Sequence, residues 1–596
     1  MSMSKKHRAL ALSRRALLGS IAAFPAVTAI AHAQALHGRS FSRVRPGTAA
    51  WPKGGEWAEL NRQVGGRLIS GERPSTAPPT QLLSNPFFVG DQVGLTQSSG
   101  WFGAWRSAPS VYAVHAAKAE HVAAAVRFAA KHNLRLVVKG GGHSYLGGSN
   151  APDSLLIWTR AMDKIELHDV FVPSGSQAAP VRAVSLGAGC IWGRVYRAVC
   201  VEGARYVQGG GCTTVGVAGL VQGGGFGSFS KGFGIAAASL IEAEIVTADG
   251  QIRVVNAARD PNLFWALKGG GGGTFGIVTR LTLRTHDLPS TLGGMGLTVQ
   301  AASDQSFERL LAAFLEFARD ALVNPHWGEQ AHATPDRRLE LGMSFQGLST
   351  EEANEVWRPF LGRIKANSAE WRIVKPFVAL AAPAQHYWDA DFLAKVIPQE
   401  IKRNDAPAAR SGDYWWGGDS DQVGIFWTRY TSMWLPAALL SGERLHRLAR
   451  AWFEASRHHS VTFHFNKGLA GASPETIAAS RETAMNPEVL DAFALAIIAA
   501  GEDPAYSGWR EPDLTKAQVS AAAVKAADQA LRSAAPGAGS YMSECDYFLN
   551  DWKRASWGHH WSRLEAIKER YDPKGLFVVH HGVGSDRWSS DGFTRM

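Results

Sequence analysis

Residues 134–145 read Leu-Arg-Leu-Val-Val-Lys-Gly-Gly-Gly-His-Ser-Tyr, an apolar run that ends in three consecutive glycines. The run predicts a strand over Leu134–Lys139. Before it, apolar residues recur on one helical face of residues 120–131, and residues 111–114 form another short apolar run. The pattern predicts a strand, helix, strand unit whose second strand opens into a glycine loop.

Two more glycine-rich segments follow, at residues 209–227 and 269–276. Glycine lets backbone N–H groups approach an anion with no side chain in the way. A dinucleotide fingerprint would instead be a single GxGxxG between a strand and a helix, with an acidic residue about 20 positions on. Three glycine loops in one region therefore indicate a large phosphate-bearing ligand bound in another way.

The composition is that of a soluble globular protein with more than one domain: 596 residues, 45% hydrophobic and 19% charged. The formal net charge is +10, but residues 1–33 hold five Lys or Arg residues and no acid. No later segment forms a block of basic residues, so we expect no nucleic-acid partner.

The first 33 residues predict an export signal. Arg14 and Arg15 precede a mildly apolar run, and Ala-His-Ala at 31–33 fits a small-x-small cleavage site. This pattern is typical of a twin-arginine signal, which the twin-arginine translocation machinery reads. We expect cleavage near Ala33 and a periplasmic or extracellular mature protein. No other segment reaches about 18 apolar residues, so we expect no membrane anchor.

The remaining segments differ in their sequence patterns. Prolines and the lack of periodic apolar runs predict an irregular extension at 34–104, whereas 291–539 alternates helical and strand patterns, as a substrate-binding domain would. In residues 461–466 apolar and polar side chains alternate, which puts His464 and Asn466 on one face of a strand. That face either lines a substrate cleft or meets water. No metal-ligating spacing is present, and we predict no metal site.

Four motifs carry a resemblance to a known family. Lys139–Tyr145 resembles the first FAD loop of the vanillyl-alcohol-oxidase superfamily. Cys212–Gly227 and Gly270–Val278 resemble the second and third loops of its berberine-bridge-enzyme-like branch, and 541–577 resembles the terminal motif of that branch. The resemblance implies an α+β fold. A PCMH-type two-part FAD-binding domain at 105–290 would be completed by 540–596, and the substrate domain would be an antiparallel sheet covered by helices.

The resemblance also implies that FAD is attached twice, through His143 and Cys212. Imidazole and thiolate are nucleophiles able to join an electron-poor flavin ring. One departure is Leu220, where the family usually has a histidine. The residues that the resemblance assigns to FAD are Gly140, Gly141, Gly142, His143, Ser144, Gly147, Cys212, Thr213, Thr214, Gly216, Gly219, Gly223, Gly224, Gly225, Gly276, Ile277 and Val278.

The activity implied is oxidation of an alcohol or of a sugar hydroxyl or hemiacetal carbon, with dioxygen as acceptor and hydrogen peroxide as product. Glu544 stands where related carbohydrate oxidases have a tyrosine base, with Tyr541 as helper or alternative, and Val215 is expected to govern the access of oxygen. Strand alternation would place Tyr541 and Glu544 on opposite faces unless a bulge intervenes. Open alternatives are a dehydrogenase with another acceptor, an amine or C–N oxidase, and a secreted flavin-binding protein without turnover.

Overall fold

The computed structural model describes residues 41–405 and 409–596. The predicted export signal lies outside the described residues. Among those that are described, no helix combines the length and hydropathy that a membrane span requires.

Residues 41–110, most of the segment predicted to be irregular, contain regular elements. These are α1 (Gly54–Gln63), β1 (Leu68–Ser70), α2 (Thr80–Leu83), α3 (Pro86–Gly90), β2 (Ser98–Trp101) and β3 (Trp105–Arg106). Two of the strands are only two or three residues long, and β1 is held by pairing with residues 112–114. Such short strands leave little periodicity in the sequence, which is why the pattern did not reveal them.

The glycine loops are carried by residues 111–290. The elements here are β4 (Tyr112–His115), α4 (Ala119–Lys131), β5 (Arg135–Lys139), β6 (Ser154–Trp158), β7 (Ile165–Phe171), β8 (Val181–Gly187), α5 (Trp192–Tyr196), β9 (Arg205–Tyr206), α6 (Val217–Gln222), α7 (Ser230–Phe233), β10 (Leu240–Val246), β11 (Ile252–Asn256), α8 (Pro261–Ala266), β12 (Ile277–Arg284) and β13 (His286–Asp287). A four-stranded sheet has the order β1-β4-β6-β5, and a five-stranded antiparallel sheet has the order β11-β10-β12-β8-β7.

The predicted strand, helix, strand unit is confirmed as β4, α4 and β5. Helix α4 buries Val122, Val126 and Ala129 against the small sheet, in which β4 and β5 both run parallel to β6. The helix ends at Lys131, and Asn133 then adopts a left-handed conformation with φ of 51°. Asparagine tolerates that conformation, which turns the chain back into β5.

Residues 291–502 build one large sheet and helices on its back. The elements are β14 (Thr291–Ala301), α9 (Asp304–Ala321), β15 (Trp327–Ala333), β16 (Arg338–Gln346), α10 (Thr350–Ala366), β17 (Trp371–Pro383), α11 (Ala390–Val396), β18 (Ile401–Arg403), β19 (Tyr414–Trp416), β20 (Ile425–Pro436), α12 (Glu443–Ser456), β21 (Val461–His464), α13 (Pro474–Arg481) and β22 (Ala492–Glu502). The nine-stranded sheet has the order β17-β14-β16-β15-β21-β22-β20-β2-β3.

This large sheet is antiparallel except where β2 runs parallel to β20. Apolar side chains of alternate strand residues, such as Leu297, Leu341 and Phe463, share one core with α9, α10, α12 and α14 (Leu514–Arg532). The predicted antiparallel sheet covered by helices is therefore confirmed. Because one face is closed by helices, the other is free to line a cavity.

The end of the chain returns to the glycine-loop region. After α14 come α15 (Trp552–Trp557) and α16 (Trp561–Tyr571), and Trp557 and Leu564 are buried in the core that holds the second and third glycine loops. The Lys568 ammonium donates to the carbonyl oxygens of Thr274 and Phe577 at 2.7 and 2.6 Å. The last segment is thus packed against the third glycine loop.

Candidate active site

A cavity of about 1440 Å³ lies between the glycine loops, the uncovered face of the nine-stranded sheet and the C-terminal segment. Single small-molecule sites usually have roughly 300–1,000 Å³, so there is room for a cofactor and a substrate together. The sequence-predicted residues that line it are Gly140, Gly141, Gly142, His143, Ser144, Cys212, Val215, Gly216, Gly219, Gly276, Ile277, Val278, His464, Asn466, Tyr541 and Glu544.

The other predicted FAD residues lie behind this wall. Gly147 packs under Trp105, where a Cβ would come within 2.8 Å of the indole ring. Thr213 donates to the Tyr414 carbonyl at 2.7 Å. The run Gly223–Gly225 is closed off by side chains within 2.6 Å of where each Cβ would lie. These residues support the loops and do not line the cavity.

The first and second glycine loops touch backbone to backbone. A Cβ on Gly141 would lie 2.7 Å from the amide nitrogen of Gly216, and a Cβ on Gly216 would lie 2.8 Å from the amide nitrogen of Gly141. Real Cβ atoms do not approach backbone that closely, so both positions require glycine. This contact brings His143 and Cys212, which are 69 positions apart, to one cavity.

His143 is held by the second loop. Its Nε2 lies 3.1 Å from Thr214 Oγ1. Burial lowers the pKa of the imidazole to about 4, against a smaller opposing effect of the bond at Thr214. The ring is therefore neutral at physiological pH, the state in which imidazole is a nucleophile.

Cys212 faces an acid that the sequence did not reveal. Its thiol lies 3.3 Å from Asp419 Oδ1. Burial, and next the Asp419 charge, raise the pKa of the thiol well above its usual value. Burial also raises the pKa of Asp419 to about 6, and its Oδ2 is buried without a hydrogen-bond partner. The thiol is thus protonated at rest, with a carboxylate beside it.

Leu220 fills the place where a polar group was expected. A Cβ on Gly210 or Gly225 would lie 2.4 or 2.2 Å from the Leu220 methyl groups. The side chain therefore packs two glycine segments of the second loop together. Val215 lies on the same loop and lines the cavity, partly buried among apolar side chains.

The opposite wall carries an ion pair. The Lys467 ammonium donates to both Glu544 carboxylate oxygens, at 2.6 and 2.7 Å. A 3-10 turn over Met542–Glu544 brings Tyr541 and Glu544 to the same cavity, so the expectation of opposite faces is wrong. Residues three apart lie nearly above one another in such a turn.

Tyr541 packs edge-on against Phe226, with ring centroids 5.1 Å apart. Burial raises the pKa of its hydroxyl above the usual range, and the Glu544 charge adds to the effect. A neutral phenol and an ion-paired carboxylate therefore face the same space.

The two predicted substrate residues both lie on the cavity side of the sheet. His464 Nδ1 is buried without a partner, and burial lowers the pKa of the ring well below its usual value. Asn466 donates to Glu329 Oε1 at 3.4 Å. Glu329 has a φ of 71°, an unusual conformation for glutamate that places strain at the site.

Sequence reasoning missed Lys467, Glu329 and Asp419. Lys467 directly follows the alternating residues 461–466, but the alternation would place it on the apolar face, so the pattern did not find it. No local signal marks the other two. In the part of the chain that the structure describes, no group of three or more His, Cys, Asp or Glu residues is arranged to hold a metal ion.

The fold and the site together define a flavin-dependent oxidoreductase. A family model described as FAD binding domain matches residues 111–256, and one described as berberine and berberine like matches 505–584. An FAD-linked oxidoreductase easE of Arthroderma benhamiae is 30% identical over 491 residues, covering 81% of this chain and 90% of the relative. The chain belongs to the FAD-linked oxidoreductases of the berberine-bridge-enzyme-like branch of the vanillyl-alcohol-oxidase superfamily, as the sequence motifs indicated.

Other relatives agree with this family. The VAO-type flavoprotein oxidase VAO615 of Thermothelomyces thermophilus is 26% identical over 605 residues, covering 93% of this chain and 95% of the relative. The crystal structure of the VAO-type flavoprotein MtVAO615 from Myceliophthora thermophila C1 matches 93% of this chain and 100% of its own, with a TM-score of 0.72 at 24% identity. A glucooligosaccharide oxidase from Acremonium strictum is described as carrying 6-S-cysteinyl, 8α-N1-histidyl FAD. Its structure matches 88% of this chain and 99% of its own, with a TM-score of 0.66 at 18% identity.

The cavity fits FAD. Gly140, Gly272 and Gly273 of the glycine loops line the cavity, and the cavity-lining Gln222 has a buried side-chain oxygen without a partner. His143 and Cys212 supply one nucleophile from each of two loops. When bound, the flavin supplies the capacity to take up two electrons.

Proposed function

We propose that this protein is an exported oxidase that takes two electrons from an alcohol carbon and passes them to dioxygen, releasing hydrogen peroxide. The observation that carries the proposal is the position of Glu544 and Lys467 in the same cavity as His143 and Cys212. Oxidation of a hydroxyl-bearing carbon requires a proton acceptor beside the flavin, and His143 and Cys212 mark where the flavin would lie. The VAO-type flavoprotein oxidase among the relatives supports dioxygen as the acceptor.

Glu544 is the proposed base. It would accept the hydroxyl proton of the substrate, and a bound flavin would supply the acceptor for the hydride. Lys467 holds the carboxylate in place through two charge-assisted hydrogen bonds. Tyr541 lies one turn away and is the helper, since its buried hydroxyl holds its proton.

Attachment of FAD through both His143 and Cys212 is the second part of the proposal. The neutral imidazole of His143 is available for bond formation, and the two loops are locked together at Gly141 and Gly216. The Acremonium strictum oxidase is described as having this pair of linkages and supports the idea. Two bonds would keep the cofactor on the protein outside the cell.

Oxygen access supplies the test that separates an oxidase from a dehydrogenase. Val215→Leu adds a methylene to a side chain that lines the cavity. We expect re-oxidation of the reduced flavin by air to slow by about 10- to 1000-fold, or about 1.4 to 4 kcal/mol of barrier, while flavin reduction by an alcohol changes only a few-fold. Stopped-flow absorbance under anaerobic and aerobic conditions measures both steps.

Val215→Ala is the matched variant, since it opens the same position. It should re-oxidise at least as fast as the wild type. Wild-type protein that reacts with oxygen as slowly as the leucine variant would rule out the oxidase and favour a dehydrogenase with another acceptor.

Export through the twin-arginine machinery completes the proposal and rests on residues 13–33. Replacing Arg14 and Arg15 with lysine should leave folded, yellow protein in the cytoplasm, because the receptor reads the arginine pair. Cell fractionation with absorbance of the bound flavin measures this. Undiminished export of the double variant would contradict the twin-arginine route.

A further inference from the structure

The cavity face of the large sheet changes character between its middle and its edge. Gln330, His332 and His464, on β15 and β21, give the middle a polar surface. Toward the edge, on β14, β16 and β17, glycine and apolar residues predominate along the cavity, and Ser344 and Lys375 are the polar side chains of these strands that also line it. There the cavity is lined by Gly294, Gly296, Gly342, Val378 and Leu380, which we call the glycine slot.

The three glycines of the slot are not explained by the backbone. None has a positive φ. A Cβ on Gly296 or Gly342 would meet nothing within 4 Å, and on Gly294 the nearest atom would be 3.7 Å away. Glycine inside a strand is destabilising relative to alanine. Neither the backbone conformation nor crowding requires glycine at these three positions. What the absence of side chains provides is a flat backbone surface along the cavity, the floor of the slot.

The walls of the slot are apolar. Val378 and Leu380 lie opposite Gly296 and Gly294 on β17, and they are 61% and 45% exposed. Phe392 and Val396 of α11 line the same cavity. Large apolar side chains that stay exposed inside a binding cavity indicate a ligand that covers them.

We propose that the glycine slot holds the body of the substrate, a flat, fused-ring apolar alcohol whose hydroxyl points toward the polar middle of the sheet. A level floor of backbone accepts a planar ring system. Gly296 and Gly342 face each other as a cross-strand pair, and Gly342 lies two strands from His464. An oligosaccharide would leave hydroxyl groups unpaired against Val378 and Leu380, which is costly. This inference rests on the proposed function, because it assumes that the same cavity oxidises an alcohol.

The test compares two probes, benzyl alcohol and 1-pyrenemethanol, on the holoprotein by the change each causes in flavin absorbance. In the wild type, 1-pyrenemethanol should bind at least tenfold more tightly. Gly296→Val and Gly342→Val should reduce that preference at least tenfold. Both should fold, since β-branched residues suit strands; Gly296→Ala should act in the same direction with a smaller effect.

Thr298→Val is the control, because Thr298 lies on the same strand two residues beyond Gly296 but does not line the cavity. It should leave the preference unchanged. An unchanged preference in the valine variants would overturn the slot assignment. If 1-pyrenemethanol binds as expected but does not bleach the flavin without air, the proposed oxidase activity fails and the slot stands.

A second observation, at Cys212, is independent of the sheet. Asp419 Oδ1 lies 3.3 Å from the thiol, its Oδ2 is buried without a partner, and both residues line the cavity. Leu220 occupies the place where the family usually has a histidine. The acid that forms a hydrogen bond with the Cys212 thiol is Asp419.

We infer that Asp419 is the base that allows Cys212 to join the flavin. It takes the S–H proton, and the sulfur forms a bond to a carbon of the ring. That carbon loses its hydrogen as a proton, and the ring keeps the electron pair, so the flavin is reduced by two electrons. Dioxygen then takes those two electrons and two protons and leaves as hydrogen peroxide. This inference rests on the proposed attachment at Cys212.

Asp419→Asn tests it without any substrate. After incubation with FAD in air, the fraction of Cys212 peptide that carries flavin should fall at least tenfold relative to wild type, whereas the His143 peptide should stay flavinylated and so report an intact fold. Asp421→Asn, an exposed acid at the rim of the same cavity, is the control. Full attachment in Asp419→Asn would overturn the role of Asp419, and a wild type without flavin on Cys212 would overturn the proposed attachment itself.

Discussion

Acid-denatured wild-type protein should keep its flavin on the chain in a ratio close to one per molecule, because bonds to His143 and Cys212 survive unfolding. His143→Ala should retain flavin through Cys212, and Cys212→Ala through His143. Only the double variant should release free FAD on denaturation. Absorbance of the washed precipitate measures retention, and mass spectrometry of the two peptides identifies each linkage.

Cys190→Ala is the control for thiol loss, since Cys190 is a buried free cysteine that does not line the cavity. It should behave as the wild type. Free FAD in the supernatant of the denatured wild type would contradict both linkages. Retention in the His143→Ala variant and release from the Cys212→Ala variant would reduce the proposal to a single bond at Cys212.

The second large effect is expected at Glu544. Glu544→Gln removes the proposed proton acceptor but keeps the size of the side chain. Flavin reduction by an alcohol should slow by about 10²- to 10⁴-fold, which corresponds to about 2.7 to 5.5 kcal/mol of barrier. Reduction by dithionite should be unaffected, because it needs no base. Anaerobic stopped-flow absorbance measures both rates.

Tyr541→Phe decides between the two candidates for the base. If Tyr541 is only a helper, removal of its hydroxyl should slow flavin reduction by an alcohol less than tenfold. A larger loss in Tyr541→Phe than in Glu544→Gln would transfer the role of base to the phenol. Glu482→Gln, an exposed carboxylate outside the cavity, should leave both rates unchanged.

Local sequence patterns were sufficient to predict the glycine loops. The strand before Gly140 and the helix before that strand follow from periodicity, and glycine runs identify a place where backbone approaches something closely. The glycine runs do not show what the backbone approaches. The structure shows it at Gly141 and Gly216, because each of these glycines is required by the backbone of the other loop. The fold class could be predicted because these local signals occur in the order that the family has.

The residues that complete the site could not be predicted in this way, because they meet through contacts distant in sequence. Cys212 meets Asp419 across 207 positions, and Lys467 meets Glu544 across 77. No neighbour in sequence marks Asp419 or Lys467, whereas Glu544 was predicted from the terminal motif. The parallel pairing of β2 with β20 is a similar case, since four residues near position 100 pair with a strand more than 300 positions later.

The closing wall of the cavity comes from the end of the chain. Tyr541, Glu544 and residues 577–580 line it, and Lys568 donates both to the Thr274 carbonyl oxygen of the third glycine loop and to the Phe577 carbonyl oxygen of the C-terminal segment. A ribosome that has made the glycine loops has therefore not yet made the wall opposite them. Contacts of such large sequence separation form slowly. We therefore expect a protein shortened before α16, which lacks residues 577–580 and Lys568, to bind no flavin and to stay colourless.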